Sequence, residues 1–485
     1  MMRPITMGLL TVATVAGAQS TTLTLDEALA TARANNPTYL QAQNARTRAT
    51  AGLRAAYGAF LPGADASLGS GLRQGRQQFF GGVAFGATSD VMSSNWGLNF
   101  SARYSAATVY NLKRAKASVD AAESDISAAE QRLRNDVTQI FLASMQAKAR
   151  ATLQDTLLAS AKAQLDLAEA RFKVGSATDL DVKRAQVQVG QAEVGVVRER
   201  NSAALAMVQL YQQMGVTRTT DASLSMNLPA TAAEFSLNQL LDQAKKNNPR
   251  LQATIAREQQ ANANVRSSQG DFIPTMSANA SFGGFTNRQK DENALVTSAE
   301  RSVNSQRASC LSTDSLRRGA GLSGITGVCN SIQFTDAQRS SIIAGNQNWP
   351  FNFTSNPYNI NVNFSLPLFD GFSRLQRLQE SRAGQRDARQ AVRAQELQVG
   401  ADVTGALLTL QNSWKALQIQ TANAGVAREA LTLADERYRV GAAAFIDVIQ
   451  ARADYGRAET DRINALYEYH RAFAGLEASV GRPLR

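Results

Sequence analysis

The amino-acid sequence predicts a mixed α and β membrane protein, in which long antiparallel coiled-coil helices are combined with four short strands. Three observations predict this fold class: a repeat that divides the chain into two similar halves, four segments of alternating apolar and polar residues, and long stretches without proline. Alternation with a period of two is typical of strands, whereas long uninterrupted amphipathic stretches are typical of helices. Each half is therefore expected to contain both strands and long helices.

The first residues have the features of a secretory signal peptide. Arg3 precedes an apolar run from Ile5 to Val15, and the sequence Ala-Gly-Ala at 16–18 supplies a cleavage pattern of small residues. The apolar run is too short to span a bilayer, which takes about twenty residues. We assign residues 1–18 to a signal peptide and expect an exported chain. Because Gln19 is not a cysteine, nothing suggests a lipid anchor.

Composition and charge favour solvated helices over a compact, thick core. Ala, Gln, Arg and Leu dominate the 485 residues, and the mean hydropathy is −0.25. This bias is typical of long helices packed through small residues. The net charge is +11, but the arginines are interleaved with Asp and Glu along every predicted helix. We therefore interpret them as solvated helix faces and expect no nucleic-acid partner.

The sequence contains no recognisable set of residues for catalysis. The single histidine, His470, lies on a predicted helix and is interpreted as a packing or surface residue. We expect no catalytic, cofactor-binding or metal-ligating residues. The two cysteines, Cys310 and Cys329, lie in one segment of an exported chain, and we expect a disulfide between them.

Two pairs of matching motifs reveal an internal duplication. The Asn-Asn-Pro sequence at 35–37 recurs 212 residues later at 247–249, whereas the Arg-aromatic-x-Val-Gly sequence at 171–175 recurs 266 residues later at 437–441. Since the second offset is larger by 54, the second half must carry an insertion. The predicted organisation is a first repeat at 19–214, a linker at 215–235 and a second repeat at 236–485. The insertion of the second repeat, at 286–357, is expected to be extracellular.

Four segments alternate with the period expected of strands. The clearest are 95–104 and 358–366, and weaker alternation occurs at 64–72 and 275–282, which gives one strand pair in each repeat, at about 62–104 and 274–366. Each run is about ten residues, the length with which a tilted strand crosses a bilayer. Alternation alone also suits a soluble β-sandwich. The clustering of aromatic residues beside these segments favours the membrane, where interfacial girdles are aromatic.

Long helices follow the strands in both repeats. Residues 112–172 contain no proline and are predicted to form a helix of roughly 90 Å, at 1.5 Å per residue. A turn at Gly175 leads to a second helix that ends at Met214, and the second repeat follows the same plan at 372–438 and 445–480. Shorter helices are predicted at 25–59 and 237–270. Helices of this length need partners for their apolar seams.

The four predicted strands require an oligomer. The smallest closed membrane barrels have eight strands, and an open sheet edge is not tolerated in lipid. Two chains would supply eight strands and three chains would supply twelve. Strand arithmetic alone does not choose between these two assemblies.

These features together resemble the TolC family of outer-membrane efflux proteins over essentially the whole mature chain. The tip motif at 171–175 and 437–441, followed six residues later by Asp-Val, carries the resemblance, and so does Pro-Leu-Phe-Asp-Gly at 367–371, the family's exit from strand to helix. Residues 103–110 depart from that exit pattern. The resemblance implies a homotrimer with a 12-stranded β-barrel in outer-membrane lipid and an α-helical tunnel in the periplasm.

The resemblance also implies a function and partners. The chain would be a passive exit channel of a tripartite drug-efflux system or of a type I secretion system. An adaptor protein and an inner-membrane pump would open it at its periplasmic end. The residues expected at the adaptor-docking tips are Arg171, Val174, Gly175, Asp181, Arg437, Tyr438, Val440 and Gly441.

Several tip residues also have a purely structural interpretation. Gly175 and Gly441 follow predicted helix ends, where glycine stops a helix, and Thr178 with Asp181 has the spacing of a capping box. Ala444 precedes Asp447 by three residues and cannot provide the reciprocal bond, so we expect capping to explain Asp447 less well. We expect Asp447 and Gln450 at a periplasmic constriction. In the family's usual pattern a second acidic residue follows one helical turn after the first, and Gln450 occupies that position here.

A different class of protein also fits part of the sequence. An exported soluble coiled-coil scaffold with small β-caps would have similar helices and short strands, and would be recovered from the periplasm rather than from the outer membrane. A secreted enzyme is a more distant alternative because no nucleophile, base or metal cluster is apparent. The sequence does not specify the exported substrate, the adaptor or the pump.

Overall fold

A computed structural model describes residues 22–75, 78–81, 83–85, 89–217, 223–229, 231–232 and 234–484. The predicted signal peptide, residues 1–18, lies outside the described residues, and so do parts of the predicted linker at 215–235. The described chain is mostly helical with a smaller content of sheet, as predicted. It divides into two compact units.

Neither unit corresponds to one repeat, because each contains residues from both. The first unit comprises Met1–Arg54, Lys113–Val265 and Gln379–Arg485, and the second comprises Ala55–Leu112 and Arg266–Leu378. The helices are α1 (Leu25–Asn35), α2 (Pro37–Gly58), α3 (Ala106–Lys173), α4 (Asp179–Met214), α5 (Leu237–Asn247), α6 (Pro249–Gly270), α7 (Glu292–Gly319), α8 (Thr326–Ser331), α9 (Asp336–Asn346), α10 (Ser373–Arg439) and α11 (Phe445–Val480).

In the first unit, each repeat packs a short helix on a long helical hairpin. α1 buries Ala28 and Ala32 against Val137 and Phe141 of α3 and Leu210 of α4. α5 packs in the same way against α10 and α11. Burying a side chain such as Leu or Phe contributes roughly 1.5–3 kcal/mol, so these apolar seams stabilise the hairpins. Two three-residue strands of this unit, β1 (Thr22–Thr24) and β6 (Ser223–Ser225), pair in parallel.

The helix predicted at 25–59 is interrupted, and so is its counterpart at 237–270. Asn36 and Asn248 adopt extended conformations, with ψ of 119° and 114°, between α1 and α2 and between α5 and α6. Both residues precede a proline, whose ring disfavours the helical conformation of the preceding residue. The Asn36 carboxamide oxygen then accepts hydrogen bonds from the N–H groups of Thr38 and Tyr39, at 3.0 and 3.1 Å, and so caps α2.

The same bend anchors the end of the returning helix in each repeat. The Asn36 amide donates to the carbonyl of Gln213 at 2.9 Å, and the Asn248 amide donates to that of Ser479 at 2.9 Å. Gly215 follows α4 with φ of 75°, and a Cβ atom there would lie 2.5 Å from the Asn35 carbonyl oxygen. Glycine is therefore required at this close approach. The repeated Asn-Asn-Pro motif thus has a structural role.

In the second unit, four strands form one antiparallel sheet in the order β2 (Gly63–Arg73), β5 (Val91–Tyr104), β7 (Thr275–Gln289) and β9 (Asn359–Ser365). The two-residue β8 (Thr354–Ser355) also pairs with β7. A small hairpin of β3 (Gln78–Phe80) and β4 (Val83–Phe85) lies between β2 and β5 in the chain. All four predicted strands are present, and β5 and β7 are longer than predicted.

The insertion differs from its prediction in two respects. It begins after Gln289 rather than at residue 286, because β7 continues to pair with β5 as far as Val91↔Gln289. It also contains three helices, α7 to α9, that composition did not indicate. The carboxamide of Asn346, at the end of α9, pairs with the backbone of Gln289, accepting at 2.6 Å and donating at 3.0 Å. This residue therefore attaches the insertion to the end of β7.

A disulfide and a hydrogen-bonded carboxylate connect α7 to α8 within the insertion. Cys310 of α7 and Cys329 of α8 form a disulfide. The Asp314 carboxylate, which is 5% exposed, accepts a hydrogen bond from the Thr326 hydroxyl at 2.7 Å and another from the Ile325 N–H. Because α8 has only six residues, it cannot be stable alone and depends on such contacts.

We expect Asp314→Asn to loosen α8. The Thr326 hydroxyl and the Ile325 N–H hold the pKa of Asp314 below its usual range, so the carboxylate stabilises the insertion at neutral pH and loses this effect as the pH falls through that lowered pKa. Limited proteolysis at neutral pH should cut the variant several-fold faster near 319–324. Glu300→Gln removes the same charge from an exposed position of α7 and should cleave at the wild-type rate. Equal cleavage of the two variants would contradict this role.

Candidate functional site

The two hairpins of the first unit turn through the same backbone geometry. Gly175 and Gly441 have φ of 76° and 79°, the left-handed conformation in which glycine ends a helix. Ser176 donates its N–H to the Arg171 carbonyl at 2.8 Å, and Ala442 donates to the Arg437 carbonyl at 2.7 Å. The repeated motif therefore encodes one type of helix stop, used at both turns.

The helices that follow the turns begin with different caps. The Thr178 hydroxyl accepts from the Asp181 N–H at 3.2 Å, and Asp181 accepts from the Thr178 N–H at 3.1 Å, which completes the predicted capping box. In the second repeat, the Asp447 carboxylate accepts from the Ala444 N–H at 3.1 Å. As expected, Ala444 returns no side-chain bond, so capping explains Asp447 less well than Asp181, although the carboxylate does cap a backbone N–H. Only the hydroxyl half of the box is missing.

The two turns pack against each other through Arg171 and Tyr438. The guanidinium of Arg171 lies over the Tyr438 ring, 4.5 Å from its centroid, and donates a hydrogen bond to the Tyr438 carbonyl. The Tyr438 ring is 5% exposed, and the Phe445 ring lies 5.4 Å away, centroid to centroid. Burial raises the pKa of the Tyr438 hydroxyl, so it remains protonated at neutral pH.

This aromatic pair belongs to one apolar cluster that joins all four helix ends. The buried members of the cluster are Ala168, Val182, Ala185, Tyr438, Phe445 and Val448. The tip is therefore held together mainly by packing. Since Tyr438 is buried in it, its side chain has little surface to offer a docking protein.

Other predicted docking residues are well exposed. Val174 and Val440 are 78% and 80% exposed at corresponding positions of the two turns. Exposed apolar residues at adjoining turns are typical of an interaction site. Arg437 is also exposed, although its repeat partner Arg171 is half-buried. The structure thus separates the predicted docking residues into exposed ones and ones that maintain the tip.

The start of α11, where the constriction is predicted, makes side-chain contacts that sequence reasoning missed. The Gln450 amide donates to both carboxylate oxygens of Asp454, at 3.1 and 3.2 Å. Arg452, with 14% of its side chain exposed, lies 3.7 Å from Asp435 of α10, and burial lowers its pKa. The spacing of four residues between Gln450 and Asp454 could have indicated the first contact. No sequence pattern indicates the second, which joins two helices.

Neither a metal centre nor a membrane-spanning helix is found within the described ranges. No group of three or more His, Cys, Asp or Glu side chains there could hold a metal ion. No helix in the part of the chain that the structure describes combines the length and apolarity needed to cross a membrane.

Duplicated long helical hairpins combined with a four-stranded sheet define the architecture of outer-membrane efflux channels. The sequence profile of the outer membrane efflux protein family matches residues 11–216 and 332–482, more than half of the chain. The chain belongs to this family. It is therefore an outer-membrane efflux channel, which confirms the predicted family, function and location. The match omits residues 217–331, which include α7, α8 and both cysteines.

Solved structures of such channels have the same fold. The Campylobacter jejuni CmeC outer membrane channel is 15% identical, with a TM-score of 0.70 over 94% of this chain and 85% of that one. Vibrio cholerae VceC is 15% identical, with 0.67 over 95% and 97%. The open state of Neisseria gonorrhoeae MtrE is 16% identical, with 0.67 over 95% and 89%. No curated protein sequence is similar enough to count as a relative.

We expect Arg171→Ala to loosen the tip and Arg437→Ala to leave it intact. A cation–π contact of this kind contributes roughly 1 kcal/mol, so amide hydrogen exchange at 438–442 should accelerate about fivefold in Arg171→Ala. Exposed surface substitutions usually change stability by less than about 0.5 kcal/mol. Since the two arginines occupy equivalent positions of the repeat, Arg437→Ala is a matched control. Similar acceleration in both variants would show that the stacking does not stabilise the tip.

Proposed function

We propose that three copies of the chain form the exit channel of a tripartite efflux system. In this proposal the sheets of the three copies close a 12-stranded barrel in outer-membrane lipid, and the hairpins form a periplasmic tunnel. A periplasmic adaptor and an inner-membrane pump open the tunnel at the hairpin turns. The channel is passive and has no enzymatic activity.

The observation that carries the proposal is the pair of open sheet edges. Among the described strands, β2 pairs only with β5, and β9, at the other side of the sheet, pairs only with β7. Backbone groups without partners are too costly in hydrocarbon, so these edges require strands from other copies. Twelve strands from three chains satisfy both edges by pairing β9 of one copy with β2 of the next.

Unpartnered apolar stripes on the helices support the same assembly. On α10, Leu397, Leu408, Ile419, Val426 and Leu433 are 54–68% exposed and are spaced by eleven, eleven, seven and seven residues. On α4, Leu180, Val187 and Val194 are 55–59% exposed and are spaced by seven. Repeats of seven and eleven are those of helices packed in coiled coils. A neighbouring copy would cover both stripes.

Efflux is favoured over type I secretion because the matching profile describes efflux proteins. The soluble scaffold is not retained, since the family is one of outer-membrane proteins. Adaptor docking is proposed at Val174, Gly175, Arg437, Val440 and Gly441, with Arg171, Asp181 and Tyr438 holding the two turns in place. The identities of the adaptor and the pump are not specified by these residues.

Val174→Glu should abolish efflux without preventing assembly. A carboxylate on this exposed valine would have to be desolvated on docking, which weakens an apolar contact. Ala163→Glu introduces the same charge on an exposed position of α3, about 17 Å along the helix from the turn. The measurement is ethidium accumulation in cells, with trimer content of the outer membrane determined in parallel. Normal efflux by Val174→Glu, with trimers at wild-type level, would exclude docking at this residue.

We further propose that Asp447 and Gln450 line a constriction at the periplasmic mouth. In a symmetric trimer each residue near the axis occurs three times, so three Asp447 carboxylates would attract cations and repel anions. Gln450 is neutral, and strong cation selectivity is therefore not expected.

Single-channel recordings in planar bilayers test this constriction. Asp447→Asn should change the current and weaken block by divalent cations, because it removes the three charges. Asp181→Asn is the matched variant of the first repeat and should leave divalent block unaltered. If Asp447→Asn conducts and is blocked as the wild type is, Asp447 does not line the mouth.

A further inference from the structure

A cavity of about 240 Å³ lies where three apolar clusters of the first unit come together. Leu29 belongs to the cluster of α1, α3 and α4, and Leu142 belongs to the cluster of α3 and α11. Phe473 belongs to the cluster of α5, α6, α10 and α11, and all three side chains line the cavity. Met226, from the segment that joins the two repeats, lines it as well. The cavity is therefore bordered by both repeats and by the chain between them.

Two guanidinium groups and two carboxylates also line this cavity. The cations are Arg134 and Arg482, and the anions are Asp26 and Glu477. Among the residues that the structure describes, none of these four has an ion-pair partner. One Glu477 oxygen accepts a hydrogen bond from the Leu484 N–H at 2.8 Å, which leaves the other oxygen for a further donor. The cavity thus offers two charges of each sign that are not used within the chain.

A buried acceptor beside these charges also needs a partner. The Asn135 carboxamide oxygen is buried and has no hydrogen-bond donor in the described part of the chain, and Asn135 lines the cavity. The His470 imidazole, which is 3% exposed, lines it too. Buried polar groups are nearly always hydrogen-bonded to protein, to a ligand or to ordered water. An occupant of the cavity would supply the missing donor for Asn135.

The size and lining of the cavity define the chemistry of its occupant. At about 30 Å³ for each water, the volume equals that of about eight waters, which is below the roughly 300 Å³ of pockets for drug-sized ligands. A carboxylate fits a guanidinium through parallel hydrogen bonds, and an ammonium donates to carboxylates. A ligand with a single charge would leave the two lining residues of its own sign unpaired. An apolar side chain would pack on Leu29, Leu142 and Phe473.

We propose that this cavity binds a small zwitterion of the α-amino-acid type with an apolar side chain. The carboxylate binds Arg134 and Arg482, and the ammonium binds Asp26 and Glu477. The ligand joins α1 and α3 of the first repeat to α11 of the second. Because every lining residue belongs to one chain, the site does not depend on the proposed trimer.

Calorimetric titration of the full chain, purified in detergent, with L-leucine tests the site. Isocaproate lacks the ammonium of leucine, and isoamylamine lacks its carboxylate. We expect saturable binding of leucine and about tenfold weaker binding of each analogue, because each leaves two like charges of the cavity without a partner. Equal affinity for the three compounds would overturn the assignment of a zwitterion.

Variants of the lining locate the bound leucine. Arg134→Gln and Glu477→Gln each remove one charge and keep an amide that can hydrogen-bond, so each should weaken binding about tenfold. Arg198→Gln and Glu429→Gln make the same changes at exposed positions of α4 and α10 and should bind as the wild type does. Ala474→Leu keeps the charges but fills part of the cavity, and it should also lose affinity. Circular dichroism verifies that each variant is folded.

Two results would contradict this site. If the wild type binds no leucine, the cavity holds only water and the proposal is wrong. If leucine binds the folded cavity variants as tightly as it binds the two control variants, it binds elsewhere, and the cavity is not its site. Neither result affects the proposed channel, whose tests are efflux and conductance.

Discussion

Backbone hydrogen bonding in lipid is the constraint from which the proposed assembly follows. A strand in hydrocarbon has no water to satisfy its N–H and C=O groups, so a sheet of four strands with two free edges cannot exist there as a single copy. Once the edges of β2 and β9 are paired between copies, the helices that continue from the strands are brought together as well. In the proposed assembly, the same symmetry that closes the sheet would also cover the exposed stripes on α4 and α10.

The duplication shows which features the fold requires in both repeats and which differ. Both repeats keep the Asn-Pro bend, the glycine that it contacts and the left-handed glycine of the turn. Each of these glycines is needed for a positive φ or a close backbone approach that occurs in both repeats. The side chains around the turns differ. Arg171 stacks on Tyr438, whereas Arg437 is exposed, and Thr178 is replaced by Ala444. The two turns therefore have the same backbone conformation but different side-chain roles. The first supplies Arg171, which packs on the buried ring of Tyr438 in the second.

Local patterns predicted the elements, and long-range contacts explain what they missed. Alternation located all four strands, since successive side chains of a strand point to opposite faces of the sheet and one face here is apolar. The break at Asn36 was missed although Pro37 is visible in the sequence, because helical periodicity continues on both sides. Of the helices in the insertion, α8 was missed because it depends on Cys329 and on Asp314, twelve residues before Thr326. The packing of Arg171 on Tyr438 joins residues that no local pattern relates.

The contacts around Asp447 indicate how little charge the proposed mouth carries. Gln450 replaces the family's second acidic residue, and its amide is bound by Asp454, which also accepts a hydrogen bond from Arg457 at 3.3 Å. Asp454 is thus partly neutralised by its neighbour, and Asp447 is left as the main uncompensated carboxylate of this helix start. Next to it, Phe445 and Val448 are 4% and 0% exposed in the apolar cluster that contains Tyr438. The start of α11 is therefore held in place by apolar packing more than by ion pairs.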